Sequence, residues 1–332
     1  MAKKKQHGRA RKAAHEASLW ALCRLIDGAV FFFRGTFRLF PRGVFRVLSG
    51  SILTPVMRLL LPRRRILRNL NRAFGHTYSP ATKKGIARGV QSHFARSIQD
   101  CVFQWLRPEY VHEQVRICGM ENLEAALAKG KGVIALGAHI GNFVLVGTRL
   151  GTMGYAFHVL FRVPTYPGFK TLVEKHIGYF HQMIIPSRPR RDAVKRVLAA
   201  LEQNEIVFIL ADNLKKGKIE TSLFGRRVLT PRGPVSLALR SGAAVLPVHL
   251  IRNYEGRLEL VIGGEITMAR NGSVLSDITR NTIHTMAHLE SVIRSFPDQW
   301  NWLTVRMREK TEPASLPTPI ELGAVGNPPP SL

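Results

Sequence analysis

A chain of 332 residues in which 45% of the side chains are hydrophobic is long enough to bury one large α/β core or two small ones. Its formal net charge of +27 implies a polyanionic partner: nucleic acid, an anionic membrane surface or an acidic carrier protein. Cys23, Cys101 and Cys118 stand in no paired spacing, which argues against a disulfide framework and a zinc site and fits a reducing, cytosol-facing compartment.

The charge is concentrated at the N-terminus, where residues 1–74 hold 17 Lys and Arg against Glu16 and Asp27. Residues 1–16 read as a basic, disordered head. Over 17–66, apolar residues from Leu19, Leu22 and Ile26 through Phe45, Leu48, Ile52 and Val56 recur at helical spacing, with Arg24, Arg34, Arg38, Arg46 and Arg58 alongside. No run reaches the ~18 uncharged apolar residues of a spanning helix, and no small-residue cleavage site follows a clean apolar core. Apolar faces flanked by arginine predict amphipathic helices lying in an interface with anionic lipid. A short tilted anchor, or helices packed on the globular core, are the other readings.

Residues 68–108 read as helical, with Ile86, Val90, Phe94, Ile98, Val102 and Trp105 forming one core-facing stripe behind a cap at Ser79 or Thr82. From Val111 onward, strand patterns near 115–118, 133–136, 157–160, 183–185, 206–210, 245–251 and 258–262 alternate with helix patterns near 123–128, 142–150, 170–179, 192–203, 235–241 and 277–296. That alternation predicts an α/β fold: a mixed, mostly parallel central sheet covered by helices. Residues 67–310 form this predicted domain, and 311–332, rich in proline and small residues, read as a disordered tail.

No phosphate-binding glycine loop, dinucleotide fingerprint, HExxH or GxSxG elbow is present. What the chain carries instead is His139 just past an apolar strand, where α/β proteins place their ligands and where an imidazole can take a hydroxyl proton near neutrality. Four constellations stand out: Ala138-His139-Ile140-Gly141-Asn142-Phe143; Phe161-Arg162-Val163-Pro164; Asp212 with the following Phe224-Gly225 and Thr230-Pro231-Arg232-Gly233; and Pro297-Asp298-Gln299-Trp300-Asn301-Trp302 followed by Arg306. In this order, behind a basic apolar N-terminus, they resemble the lysophospholipid acyltransferase superfamily, specifically the late acyltransferases of lipid A biosynthesis (lauroyl and myristoyl transferases).

The resemblance implies an O-acyltransferase that moves a fatty acyl chain from an acyl thioester, on acyl carrier protein or acyl-CoA, to a hydroxyl of a lipid A precursor or other membrane glycolipid. It implies no cofactor, no metal and no nucleic acid partner. It places the work at the cytoplasmic face of a bacterial inner membrane, with anionic lipid as a partner. His139 would be the base, Arg162 would meet developing charge or a phosphate, and Asp212 would stand at the second strand end. Asn142, Phe224, Gly225, Thr230, Arg232 and Gly233 would line the substrate groove.

One departure matters. The family signature has an acid five positions after the histidine, and here that position is Val144. Without a carboxylate to fix its tautomer, a histidine base can lose roughly 10⁴ in rate. Either Asp212 or Glu205 substitutes for the missing acid, or the chain is an impaired, lipid-binding or scaffolding descendant of the fold. Two basic clusters remain: Arg188, Arg190, Arg191, Lys195 and Arg196, then Lys215, Lys216 and Lys218. They read as docking surfaces for an acidic carrier protein or lipid phosphates.

Overall fold

The computed structural model describes residue 28 and residues 42–162, 180–214 and 217–303. The basic head, most of the first amphipathic stretch, the helix expected at 170–179, Lys215, Lys216, Arg306 and the tail lie outside the described residues.

Helices α1 (Arg42–Leu60), α2 (Arg63–Phe74) and α3 (Pro80–Leu106) lead into the sheet. Pro62 separates α1 from α2, and α3 starts where the sequence predicts, with Pro80 in its first turn and the Ser79 hydroxyl accepting from Thr82 N–H. Two buried glutamines fasten α1 to α3: Gln99 donates to the Arg46 carbonyl at 2.7 Å, and Gln91 to those of Arg58 and Leu61 at 3.2 and 3.1 Å. With its other side α1 exposes apolar surface: Val47, Ile52 and Leu59 are 67%, 65% and 86% exposed. No described helix is long and apolar enough to cross a membrane.

After α4 (Tyr110–Gln114) come β1 (Val115–Cys118), α5 (Met120–Leu127), β2 (Val133–Gly137), a 3₁₀ turn (Phe143–Leu145), α6 (Val146–Gly151), β3 (Phe157–Phe161) and β4 (Met183–Pro186). Then follow α7 (Arg190–Glu202), β5 (Ile206–Leu210), the hairpin β6 (Ile219–Leu223) and β7 (Arg226–Thr230), α8 (Gly233–Ser241), β8 (Ala244–Arg252), β9 (Leu258–Ile262) and α9 (Val274–Ser295). Seven strands form one sheet in the order β1-β9-β8-β2-β5-β3-β4, parallel throughout except where β9 runs against β8. The predicted mixed, mostly parallel sheet is the observed one.

β2 lies in the middle and is buried along its whole length. Its alternate residues serve two cores. Val133 and Ala135 face a cluster with Phe103, Leu145, Phe157 and Phe208, while Ile134 and Leu136 face Val197, Leu201 and Leu237 from α7 and α8. Burial on both faces is why these strands read as unbroken apolar runs. A third cluster, off the sheet's edge, joins Ile66, Leu70 and Phe74 of α2 to Phe224, Trp300, Trp302 and the α9 residues Met286, Leu289 and Ile293.

The hairpin lies between 210 and 235, where the sequence pattern marked no strand. Ile219, Thr221 and Leu223 alternate inward, a period of two hidden by its brevity. Phe224 and Gly225 close the hairpin with φ of +53° and +67°, the handedness that two-residue turns of this kind require.

Candidate active site

The site begins where β2 ends. A side chain at Gly137 would meet the Phe208 ring at 2.4 Å, so only glycine lets β2 pass that aromatic. Four residues on, the chain turns back at Gly141, whose φ is +59° and whose missing Cβ would sit 1.9 Å from the Leu250 carbonyl oxygen. The turn is tied on three sides: Asn142 N–H donates to Leu250 O at 2.7 Å, Gly141 N–H to Gln299 O at 3.1 Å, and Asn301 N–H to His139 O at 2.9 Å. The histidine is thus carried on a braced backbone.

β5 is the neighbouring parallel strand, with Gly137 level with Leu210. Two residues beyond each, His139 and Asp212 stand side by side. His139 Nδ1 lies 2.7 Å from Asp212 Oδ1, and Asp212 Oδ2 accepts from the His139 backbone N–H at 2.9 Å and from the Trp300 indole N–H at 3.0 Å. The Asp212 side chain is fully buried while that of His139 is 28% exposed. A carboxylate with three donors and no solvent is a fixed orienting group, and a partly exposed imidazole is a group that can meet a substrate.

The electrostatics follow from this geometry. Burial pulls the His139 pKa down, but the hydrogen bond and charge of Asp212 outweigh it and leave the imidazole more basic than a free histidine. Burial pushes Asp212 up, but the hydrogen bond and charge of His139, together with Trp300 N–H and the His139 backbone N–H, hold it below the usual carboxylate range. Since the ionised carboxylate only accepts, Nδ1 carries the proton and the Nε2 lone pair is free. The Phe143 ring packs edge-on against the imidazole, centroids 5.0 Å apart, which fixes the ring plane.

The other expected residues fall into distinct places. Arg162 follows β3, the strand beyond β5, and is exposed at the same sheet edge, two strand spacings or roughly 10 Å from the His139 strand. Glu205 precedes β5, at the opposite end of the strand, and its carboxylate meets His158 Nε2 at 2.6 Å. This position excludes Glu205 as the acid that orients His139. Val144 lies in the 3₁₀ turn with 44% exposure.

Asn142 does not face a groove. It is buried, donating to the Ser97 carbonyl at 3.1 Å and approaching Asp100 Oδ2 at 3.5 Å, so its amide fastens the histidine loop to α3. Phe224 packs among Phe74, Trp300 and Trp302 under the Arg294 guanidinium, and its backbone N–H donates to Glu290 at 2.8 Å. Gly225 completes that turn, and the Thr230 hydroxyl is buried against that of Thr221 at 2.7 Å. Arg232 precedes α8 and Gly233 opens it, with open space where the latter's Cβ would lie. Of the expected groove residues, Gly225 is exposed at the hairpin tip and Arg232 and Gly233 are partly exposed after β7, while Asn142, Phe224 and Thr230 are buried. On α7, Arg190, Arg191 and Lys195 line an open groove with Val194, Leu198 and Arg240 of α8; Arg188 and Arg196 are exposed beside it.

Trp300 is the residue that sequence reasoning undervalued. It is fully buried, yet its N–H reaches the carboxylate that holds the histidine. The signal lay in the proximity of Pro297 and Asn301, turn formers that present an otherwise apolar side chain at a fixed angle. Among the described residues no three His, Cys, Asp or Glu side chains gather to hold a metal ion.

The sequence-family model for bacterial lipid A biosynthesis acyltransferases matches residues 15–309. The chain belongs to that family. It is also similar to the phosphatidylinositol mannoside acyltransferase of Mycobacterium tuberculosis, 29% identical over 143 residues, which is 42% of this chain and 45% of that protein, in strains CDC 1551 and H37Rv alike. The protein of the same name from Mycolicibacterium smegmatis is 23% identical over 193 residues, 58% of this chain and 62% of the relative. The chain thus spans about half the length of the mycobacterial relatives it matches.

Proposed function

We propose that this family member transfers a fatty acyl chain from an acyl thioester, carried by acyl carrier protein or coenzyme A, to a hydroxyl of a membrane glycolipid, with His139 as the general base. The observation that carries the reading is the His139–Asp212–Trp300 arrangement. The acceptor hydroxyl gives its proton to Nε2 as its oxygen attacks the thioester carbonyl; Asp212 stabilises the imidazolium that forms. Arg162 offsets the negative charge on the tetrahedral oxygen. Collapse expels the thiolate, which takes the proton from Nε2, leaving an ester and a free thiol. The acyl chain passes directly between substrates, with no covalent enzyme intermediate.

In this reading Asp212 does the work assigned elsewhere in the family to an acid five positions after the histidine, and its 2.7 Å contact with His139 Nδ1 supports an active enzyme over a disabled scaffold. Val144→Glu is therefore expected to change the transfer rate by less than about threefold, since Nδ1 already has its partner. A gain of tenfold or more in a steady-state assay would show that Asp212 is not the working acid.

The pH dependence has a definite sign. Only neutral His139 can accept a proton, and Asp212 raises its pKa above the ordinary 6.5. Transfer should be full above that raised value and fall as pH drops through it, with an acid limb of unit slope in kcat/KM. A rate that stays flat down to pH 5 would exclude a basic His139 from the chemistry.

The exposed apolar side of α1, with its arginines, supports docking on an anionic bilayer surface, and the arginine-rich groove between α7 and α8 supports contact with an anionic carrier or lipid phosphate. Replacing Val47 and Leu59 together with Glu should weaken binding to phosphatidylglycerol-containing vesicles at least tenfold in a sedimentation assay without lowering the melting temperature. The function itself is tested with membranes holding the protein, labelled acyl thioesters and two acceptors, a phosphatidylinositol mannoside and a lipid A precursor. Formation of an ester on either supports the reading and names the acceptor; no ester with any donor would overturn it.

A further inference from the structure

Behind the dyad, on the side of the sheet covered by α9, lies a histidine that the reaction does not use. His249 is in β8, paired with Val261 of β9 on one side. On the other side Pro247 is level with Leu136 of β2, so His249 stands beside Ala138, the residue before the base. It is 94% buried, being 6% exposed, and neither ring nitrogen has a hydrogen-bond partner among the described protein atoms. A buried polar group left in that condition costs about 1–3 kcal/mol, and a neutral imidazole must place one N–H and one lone pair. Next to it is a cavity lined by Leu136, Ala211, Pro247, Thr285, His288 and Leu289, with room for about one water molecule. Ala211, the residue before Asp212, is part of this lining, so the cavity lies against the backbone that carries the carboxylate.

We propose that His249 and one water in this cavity form a buried polar support for Asp212, and that this support sets how strongly Asp212 draws on the proton of His139. The water has the partners it needs. Thr285 lines the cavity, and its hydroxyl donates to the Thr282 carbonyl at 2.9 Å, which leaves its lone pairs free; His288 offers a second polar wall. Burial keeps His249 neutral, with its pKa pulled down to about 4 against the opposing pull of the Asp212 charge. The imidazole therefore acts as a dipole and adds no cation that would compete with His139. Among the described residues the titratable side chains lining this cavity are His249 itself and His288 from α9, the latter beside His284 at 4.9 Å between centroids, while the Asp212 charge acts on His249 from the end of β5. Arg252, farther along β8, is occupied by Asp100 at 2.5 Å. His249 is thus a positioning residue that reaches the reaction through Asp212.

The inference rests on His139 and Asp212 being the working pair, so its test reads the pair itself and not turnover. In protein labelled with ¹⁵N-histidine, the titration of the His139 ring is followed by NMR in wild type, His249→Leu and His249→Gln. Removing the polar support leaves Asp212 less stabilised as an anion and so a stronger attractor of the His139 proton. His249→Leu should raise the His139 midpoint by about half a pH unit or more, and His249→Gln, which restores a donor and an acceptor, should return it towards the wild-type value. Thr285→Val, which removes the far wall of the water site from a helix that tolerates it, should move the midpoint in the same direction by less. An unchanged midpoint in folded His249→Leu, or, should that variant not fold, an unchanged midpoint in Thr285→Val, overturns the proposal, as does a Gln variant that shifts as far as Leu. Because no substrate is present, a protein that transfers nothing still reports whether His249 acts on the pair.

Discussion

Asp212→Asn lowers acyl transfer by roughly 10³–10⁴-fold while the protein stays folded, the loss that follows when a histidine base is left in the wrong tautomer. The amide is the same size, and its oxygen can still accept from Trp300 and from the His139 backbone N–H, as the carboxylate Oδ2 does. Its NH₂ then faces Nδ1, 2.7 Å away in the wild-type pair. Two donors cannot share that contact, so the imidazole moves its proton to Nε2 and loses the lone pair that takes the hydroxyl proton. The imidazolium also loses its counter-charge. The check is the steady-state rate beside the melting temperature: a large rate loss with a melting temperature within a few degrees of wild type assigns the effect to chemistry. A variant at half the wild-type rate would mean that the carboxylate does not orient the base.

Gly141→Ala is expected to damage fold and activity together. Its φ of +59° disfavours any side chain, a penalty of about 1–2 kcal/mol for an L-residue. The larger cost is steric, because the new Cβ would lie 1.9 Å from the Leu250 carbonyl oxygen, a backbone atom of the central sheet that cannot swing aside. Moving it breaks the Asn142–Leu250 hydrogen bond of 2.7 Å and loosens the Gly141–Gln299 and His139–Asn301 ties. A total of at least about 3 kcal/mol is in line with strained backbone sites of this kind, which for a domain this large is a drop of about 6–12 °C in Tm. Gly85→Ala is the control: it sits within α3 with open space around the new methyl, so it should hold or gain up to ~1 kcal/mol. Residual transfer by folded Gly141→Ala should fall further than its folded fraction, since the displaced loop carries the base.

Most of the central sheet was legible because its strands are buried on both faces and announce themselves as short apolar runs between helices of ordinary length. The hairpin was missed for the opposite reason: Ile219–Leu223 and Arg226–Thr230 are half polar, five residues each, and the sequence around them is dominated by Gly, Pro and basic residues. His139 could be singled out from its place after β2. Its partner could not be fixed, because which of Glu205 and Asp212 meets it depends on the direction of β5. A parallel β5 puts Asp212 level with His139 and Glu205 at the far end, bound to His158. Asn142 was read as a substrate contact from its neighbourhood in the motif; burial against Ser97 and Asp100 on α3 is a tertiary fact with no local signal. Trp300 and His249 illustrate the same limit. Each looks like core in the sequence; Trp300 meets the Asp212 carboxylate, and His249 stands beside Ala138, only because distant segments of the chain return to the end of β2.

The central claim is that His139 is the base for acyl transfer to a membrane glycolipid, and its most direct test is the rate of ester formation by His139→Ala beside wild type. Both are assayed in membranes lacking the host's own transferases, with the acyl thioester and glycolipid pair that the wild-type protein uses. Wild type should form the ester, and the variant, equally abundant and equally folded, should form it at least about 10²–10⁴-fold more slowly. Ester formation by His139→Ala at the wild-type rate would contradict the account.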